Sequence, residues 1–261
     1  MGKYQNKRLG QVFLHDGNII RKILGAASIN SAEHLIEIGC GDGILTKELS
    51  NTGKPLTVIE LDQHYLEKVQ ALVPDTVSFI HQDALKVDFQ ALPPHPITMI
   101  ANIPYQISSP LMERLIRDRS VIKECTLMVQ NEFAKRICGQ PKTKDYGSLS
   151  VYAQFYLDIE ICFPVSRNCF YPVPKVDSAV IKLSPKAKPL YDVDETKFFS
   201  MVRSGFWGRR KPFLSCLKKS PYLDLPKGFS PGPFLQEHGH RRAETLTTEE
   251  FYMAYLEISN D

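Results

Sequence analysis

Glu37-Ile-Gly-Cys-Gly-Asp-Gly43 decides how this chain is read. It completes a strand-like apolar run that starts at His34 (HLIEI) and leads straight into a helical pattern over Gly43–Ser50. Glycines at alternate positions let the backbone turn sharply and approach a ligand closely, as strand–turn–helix nucleotide sites require. Working outward, Leu56–Glu60 reads as a second strand, and Glu60 lies seventeen residues beyond Gly43. A carboxylate at that distance can accept hydrogen bonds from two ribose hydroxyls. The glycine spacing is GxGxG with an acidic residue before it, not the GxGxxG of nicotinamide dinucleotide sites. A third strand, Val77–His81, runs into Gln82-Asp83-Ala84, where Asp83 can accept from an adenine amino group. Alone, Asp83 would read equally well as a helix cap or turn residue. In register with Glu37, Gly39, Gly41, Glu60 and Leu61, it and Ala84 describe a nucleoside pocket.

Strands and helices alternate around this centre. Asp16 opens a helix whose apolar face is Ile19, Ile20, Ile23 and Leu24, and another helix runs from Asp62 to about Leu72. Ile97–Ala101 is a fourth strand, and a helix starts near Ser108–Pro110 with Ser109 as its expected cap. Cys125–Gln130 is a further strand, followed by a helix capped by Asn131 and ending at Ile137. This alternation implies right-handed crossovers and a mostly parallel sheet. Leu157–Phe163 and Ser178–Leu183 have no room for a crossover helix between them, so they should pair as an antiparallel hairpin at one edge. Ser184–Pro189 reads as a linker. Beyond it come helical patterns at Glu195–Phe206, Pro212–Lys219 and Thr247–Ile258, the last with a capping box of Thr247 and Glu250. The expected architecture is an α/β domain over residues 1–189 and a small helical domain over 190–261.

Composition narrows the class. With 261 residues, 43% hydrophobic and 23% charged, the chain can bury a core without disulfides or a structural metal. Its six cysteines, at 40, 125, 138, 162, 169 and 216, form no CxxC pair and fit a reducing cytoplasm. No signal-peptide pattern and no membrane-length apolar stretch is present, so the reading is a cytoplasmic protein without membrane attachment. His238 and His240 stand two apart with no carboxylate or cysteine at ligand spacing, and no metal is expected. Net charge is only +3, but cations bunch at Lys7-Arg8 and Arg209-Arg210-Lys211, which points to a polyanion partner. No sustained heptad is visible, and a monomer is expected.

Asn102-Ile103-Pro104-Tyr105 follows the fourth strand, where ligands bind in open α/β sheets. These residue types suit methylation of an exocyclic amine. An adenine amino nitrogen is a poor nucleophile because its lone pair is delocalised into the ring. Acceptors for both N–H bonds, from the Asn102 side chain and the Ile103 or Pro104 carbonyl, favour a pyramidal nitrogen and stabilise the charge that develops on it. Pro104 fixes the backbone, and Tyr105 offers a flat face to an unstacked base. In the loop Phe170–Ser178, Phe170 is expected to close over the other face of that base, with a hydrophobic plug as the competing reading.

The glycine turn with Glu60 and Asp83 resembles the S-adenosylmethionine pocket of class I Rossmann-like methyltransferases. Further segments carry a narrower likeness: Lys7–Leu14, Asn102–Pro110, Leu127–Glu132, Tyr146–Val151, Phe170–Ser178, Phe206–Lys211 and Arg242–Leu246. Together they resemble the ribosomal RNA adenine N6,N6-dimethyltransferases of the KsgA family. That resemblance implies S-adenosylmethionine as cofactor and small-subunit ribosomal RNA, within the 30S subunit or its precursor, as partner. Two adjacent adenosines in a hairpin loop near the RNA 3′ end would each receive two methyl groups. The family's cofactor positions fall on Val12, Leu14, Gly39, Glu60, Asp83 and Asn102. Val12 stands where the family usually has Asn or His, so only backbone contact is implied there. A large-subunit methyltransferase of the antibiotic-resistance type, a non-catalytic assembly factor and a DNA adenine methyltransferase are the alternatives.

Overall fold

In the computed structural model, residues 12–226 and 228–259 are described. The chain divides into two compact units, one running through Ala134 and resuming at Leu157–Pro185, the other made of Lys135–Tyr156 and the chain from Lys186 onward.

The first unit is α/β. In chain order it contains β1 (Phe13–Leu14), α1 (Gly17–Ala26), β2 (His34–Ile38), α2 (Ile44–Ser50), β3 (Leu56–Glu60), α3 (Gln63–Gln70), β4 (Ser78–His81), β5 (Ile97–Asn102), α4 (Ser108–Arg117) and β6 (Ile122–Gln130). After α5 (Asn131–Ile137) and α6 (Ser148–Tyr156) come β7 (Leu157–Val165), β8 (Phe170–Tyr171) and β9 (Ser178–Pro185). The seven-stranded sheet has the order β4-β3-β2-β5-β6-β9-β7. Its first five strands are parallel, and β9 pairs antiparallel with both β6 and β7. β2 and β3 are buried at every position, as a strand covered on both faces must be. Asp16 caps α1 through the Asn18 amide, and Ile19, Ile20 and Ile23 pack into the core. Each such burial contributes about 2 kcal/mol. β1 and β8 form a separate two-stranded ladder, Leu14 opposite Phe170.

The helical unit holds α7 (Glu195–Phe206), α8 (Phe213–Lys219), α9 (Pro233–His238) and α10 (Thr248–Ser259). The capping box of α10 is reciprocal: the Glu250 amide donates to Thr247 Oγ1 at 3.1 Å and the Thr247 amide to Glu250 Oε2 at 2.8 Å. Residues 135–156, expected in the first domain, belong here instead. Tyr152 and Phe155 stack edge-on against Phe199, Phe155 lies 5.2 Å from Phe198, and Tyr146 meets Phe206. Aromatic burial therefore draws this excursion to α7. Backbone bonds from Lys186 to Tyr156 and from Leu190 to Phe155 close it off. The chain changes unit at 185/186, because β9 continues into the expected linker.

Ser109 is not the cap of α4. The helix already begins at Ser108, with Ile107 at the cap position after a 3-10 turn over Tyr105–Ile107, and the Ser108 hydroxyl donates back to the Tyr105 carbonyl at 2.9 Å. Among the described residues, no helix is long and apolar enough to cross a membrane.

Candidate active site

Strand order brings the carboxyl ends of β2, β3, β4 and β5 side by side, with the connectivity reversing between β2 and β5. A cleft opens at that switch point, where open α/β sheets bind ligands. Val12, Leu14, Glu37, Gly39, Gly41, Glu60, Leu61, Asp83, Ala84, Asn102, Ile103 and Pro104 all line it. Lys7 and Arg8 lie outside the described residues.

The first turn is shaped by backbone no side chain would favour. Gly39, Gly41 and Gly43 have φ of +75°, +49° and +80°. A Cβ on Gly43 would come within 3.0 Å of Val69, so α3 packs hard against this turn. Such positions cost a non-glycine residue about 1–2 kcal/mol. A Cβ on Gly39 would lie 3.9 Å from the Asn102 carbonyl oxygen and 4.0 Å from the Pro104 ring, so the two motifs adjoin in one wall.

The polar groups differ in how they are occupied. Glu60 Oε1 accepts from the amides of Leu61 and Asp62, both at 2.9 Å. Its Oε2 has only long contacts, 3.5 Å from Cys40 Sγ and from the Gly41 amide. Asp83 Oδ1 accepts from the Leu85 amide at 3.0 Å, the turn role expected of an isolated aspartate, while the residue still lines the cleft. Glu37 is fully buried, and its Oε2 has no partner. Burial pushes its carboxyl up to about 8, the Thr46 hydroxyl opposing and Glu60 adding to the shift. Asn102 Oδ1 is likewise buried and unpartnered. Burial, with Glu60 and Glu37 close by, raises the Cys40 thiol well above its ordinary value and keeps it inert.

This set of acceptors fits a nucleoside cofactor: the weakly engaged Glu60 Oε2 and the unpartnered oxygens of Glu37 and Asn102 for hydroxyl and amine groups, with apolar walls between them. Ile20 and Ile23 of α1, Gln106 and Ile107 are also part of the lining. The two isoleucines were visible in the sequence only as a helix face, a pattern that core and cleft share.

Tyr105 stands half-buried beside the cleft, its hydroxyl 2.7 Å from Ser178 Oγ. Phe170 does not face an open site: its ring is 1% exposed and sits in the core cluster with Leu14 and Ile20. The neighbouring ring, Tyr171, is 58% exposed. In a two-residue strand side chains alternate, and pairing with β1 turns Phe170 inward. Arg209, Arg210 and Lys211 are exposed in the helical unit, with the Lys211 ammonium 4.8 Å from the Trp207 ring. Among the described residues, no group of three His, Cys, Asp or Glu side chains could hold a metal ion.

Comparison with known proteins bears on this geometry. The family model "Ribosomal RNA adenine dimethylase" matches residues 2–223. The chain is similar to the "Ribosomal RNA small subunit methyltransferase A" of Clostridium botulinum, 41% identical over 96% of this chain and 94% of that one. Among solved structures it is similar to a dimethyladenosine transferase from Plasmodium falciparum (TM-score 0.82, 28% identity, 95% and 98% covered). It also resembles the 23S rRNA methyltransferase ErmE (TM-score 0.73, 25% identity, 95% and 99% covered).

Proposed function

The chain belongs to the ribosomal RNA adenine dimethylase family, and we propose that it methylates the N6 amino groups of two adjacent adenosines in a hairpin loop near the 3′ end of small-subunit ribosomal RNA. It is a ribosomal RNA methyltransferase with a Rossmann-like fold. The observation that carries the finer reading is the buried, unpartnered Asn102 Oδ1 at the end of β5, in the same cleft as Glu37 and Glu60.

In this reading the cofactor is S-adenosylmethionine, which supplies an electrophilic methyl group on a sulfonium centre. Glu60 Oε2, which has only long contacts, serves the ribose hydroxyls, while its other oxygen holds two backbone amides. Asp83 is placed for the adenine amine, and Glu37 offers a buried acceptor. Val12 and Leu14 contribute backbone and apolar wall.

The chemistry at the target falls to Asn102-Ile103-Pro104-Tyr105. Asn102 Oδ1 accepts one N–H of the adenine amine, and the Ile103 or Pro104 carbonyl accepts the other. Both acceptors draw electron density back onto nitrogen and stabilise the charge that appears as the N–C bond forms. The methylated nitrogen is strongly acidic, so its proton leaves to water without a dedicated base. Tyr105 supports the flat face of a base taken out of its stack, a step that costs a few kcal/mol and less in a loop than in a duplex. Phe170 acts here from beneath, as part of the wall behind Leu14.

The cation clusters at Lys7-Arg8 and Arg209–Lys211 hold RNA phosphates. The enzyme works as a cytoplasmic monomer on the 30S subunit or its precursor. The 41% identity to a small-subunit enzyme over nearly the whole chain, against 25% to ErmE, favours this subunit over the large one.

The test is to incubate the protein with labelled S-adenosylmethionine and undermethylated small subunits, large subunits or duplex DNA. Label recovered as dimethyladenosine from the small subunit is expected. Transfer only to the large subunit or to DNA overturns the assignment.

A further inference from the structure

We propose that Ser178 is a positioning residue for the methyl transfer, holding the Tyr105 ring in the orientation that receives the target base. The inference rests on the reading of Asn102–Tyr105 as the adenine site.

Ser178 is the first residue of β9 and is fully buried. It is fixed on both sides, opposite Gln130 of β6 and Val165 of β7. The residue before it is also tied down: the Asp177 carbonyl accepts from the Asn131 amide at 3.0 Å, and its side chain accepts from the Arg167 amide at 2.9 Å. Ser178 Oγ is therefore a rigid point at the carboxyl end of β6.

Tyr105 is held through its carbonyl by Ser108, a contact that leaves the ring to its own torsions. It opens a three-residue 3-10 turn, is half-buried, and its ring can rotate about two side-chain torsions. The 2.7 Å bond between its hydroxyl and Ser178 Oγ spans 73 residues of sequence and attaches that ring to the sheet. A flat platform stacks a base only at a defined tilt, and small misplacements of the reacting groups are costly in rate. The bond thus converts the stiffness of β9 into the orientation of the base relative to Asn102. The second transfer depends on it most, because the monomethylated amine keeps a single N–H and must be held in one rotamer for a productive approach.

The experiment is a double-mutant cycle of Ser178→Ala and Tyr105→Phe in the full-length chain, read on undermethylated small subunits. Each substitution removes the same bond, and Tyr105→Phe does so without touching the sheet interior. Each is expected to lower the single-turnover rate about tenfold and to raise the fraction of product left as monomethyladenosine. The double variant should be no worse than either single one, with S-adenosylhomocysteine affinity and melting temperature close to the parent's. Wild-type rate and product ratio in Tyr105→Phe, or additive losses in the double variant, overturn the proposal. So does a loss of rate that follows a loss of cofactor affinity or melting temperature. If the parent protein methylates no small subunit at all, it is the assignment of the substrate that fails, and this separates the two claims.

Discussion

In the helical unit, Glu250 accepts from the Thr247 amide and from the Arg241 guanidinium, and Glu257 accepts from the amides of Phe234 and Leu235 at the start of α9. In the cleft of the α/β unit, Glu37 Oε2 and Asn102 Oδ1 are buried and accept from nothing. An unpaired buried acceptor costs about 1–3 kcal/mol. Both units hold other buried polar atoms without partners, Thr98 Oγ1 and the Tyr146 hydroxyl among them. Glu37 and Asn102 are the ones that line the cleft, where a ligand would bring donors, whereas Glu250 and Glu257 of the helical unit satisfy the orphan amides of its own helix ends. The protonation behaviour follows suit. Burial pushes Glu37 up to about 8. For Glu250, burial works in the same direction, but the Arg241 hydrogen bond and the Thr247 amide outweigh it and hold the carboxyl below its ordinary value.

The sharpest way to break this contrast is Asn102→Ala. Removing the acceptor at the reacting nitrogen should lower methyl transfer by about 10²–10³-fold, while S-adenosylhomocysteine affinity, measured by calorimetry, changes only a few-fold. A parallel collapse of cofactor binding would mean that both open acceptors serve one ligand. Next in size, replacing Arg209, Arg210 and Lys211 together by Gln should weaken RNA binding and lower its log–log salt slope by roughly two to three. Emission from Trp207, the chain's one tryptophan, reports on this cluster, since Lys211 sits over its ring. An unchanged slope would return these cations to an ordinary solvated surface.

The pH dependence sharpens the comparison further. A carboxyl raised in the fold favours the folded state at low pH, and that advantage is lost as pH rises from the ordinary 4.5 towards about 8. The cofactor-free protein should therefore lose stability over that window, and Glu37→Gln should flatten the loss. Glu250, held low, stabilises above its ordinary pKa and should weaken the fold only as pH falls below it. Melting curves between pH 2 and 9 of the parent, Glu37→Gln and Glu250→Gln separate the two effects. Identical slopes in all three would sink the contrast. The smallest expected effect is Thr247→Ala, which removes half of the α10 capping box and should cost about 1 kcal/mol in denaturant unfolding, with methyl transfer unaffected.

Legibility followed the range of the interactions. β2, β3 and the turn between β2 and α2 were readable because five-residue apolar runs and GxGxG spacing are local patterns. The α10 capping box was readable for the same reason. The start of α4 near Ser108 was readable, but its cap was not: the helix continues directly from the 3-10 turn over Tyr105–Ile107, which leaves Ser109 inside the first turn. α9 was hidden in a stretch rich in Pro and Gly, where its first amides are satisfied by Glu257, more than twenty residues away. Phe170 was expected over the site; a pairing with β1, across more than 150 residues, turned it into the core.

The sequence by itself determined the α/β class, the order of the parallel strands' motifs and the identity of the acceptors at their ends, because strand period, glycine spacing and side-chain chemistry are properties of short segments. Tertiary structure alone decided that residues 135–156 join the helical unit, that Phe170 faces inward while Tyr171 faces out, and that Tyr105 is held by Ser178. Those outcomes depend on which surfaces meet after collapse, and the partners lie tens of residues apart, where no local pattern encodes them.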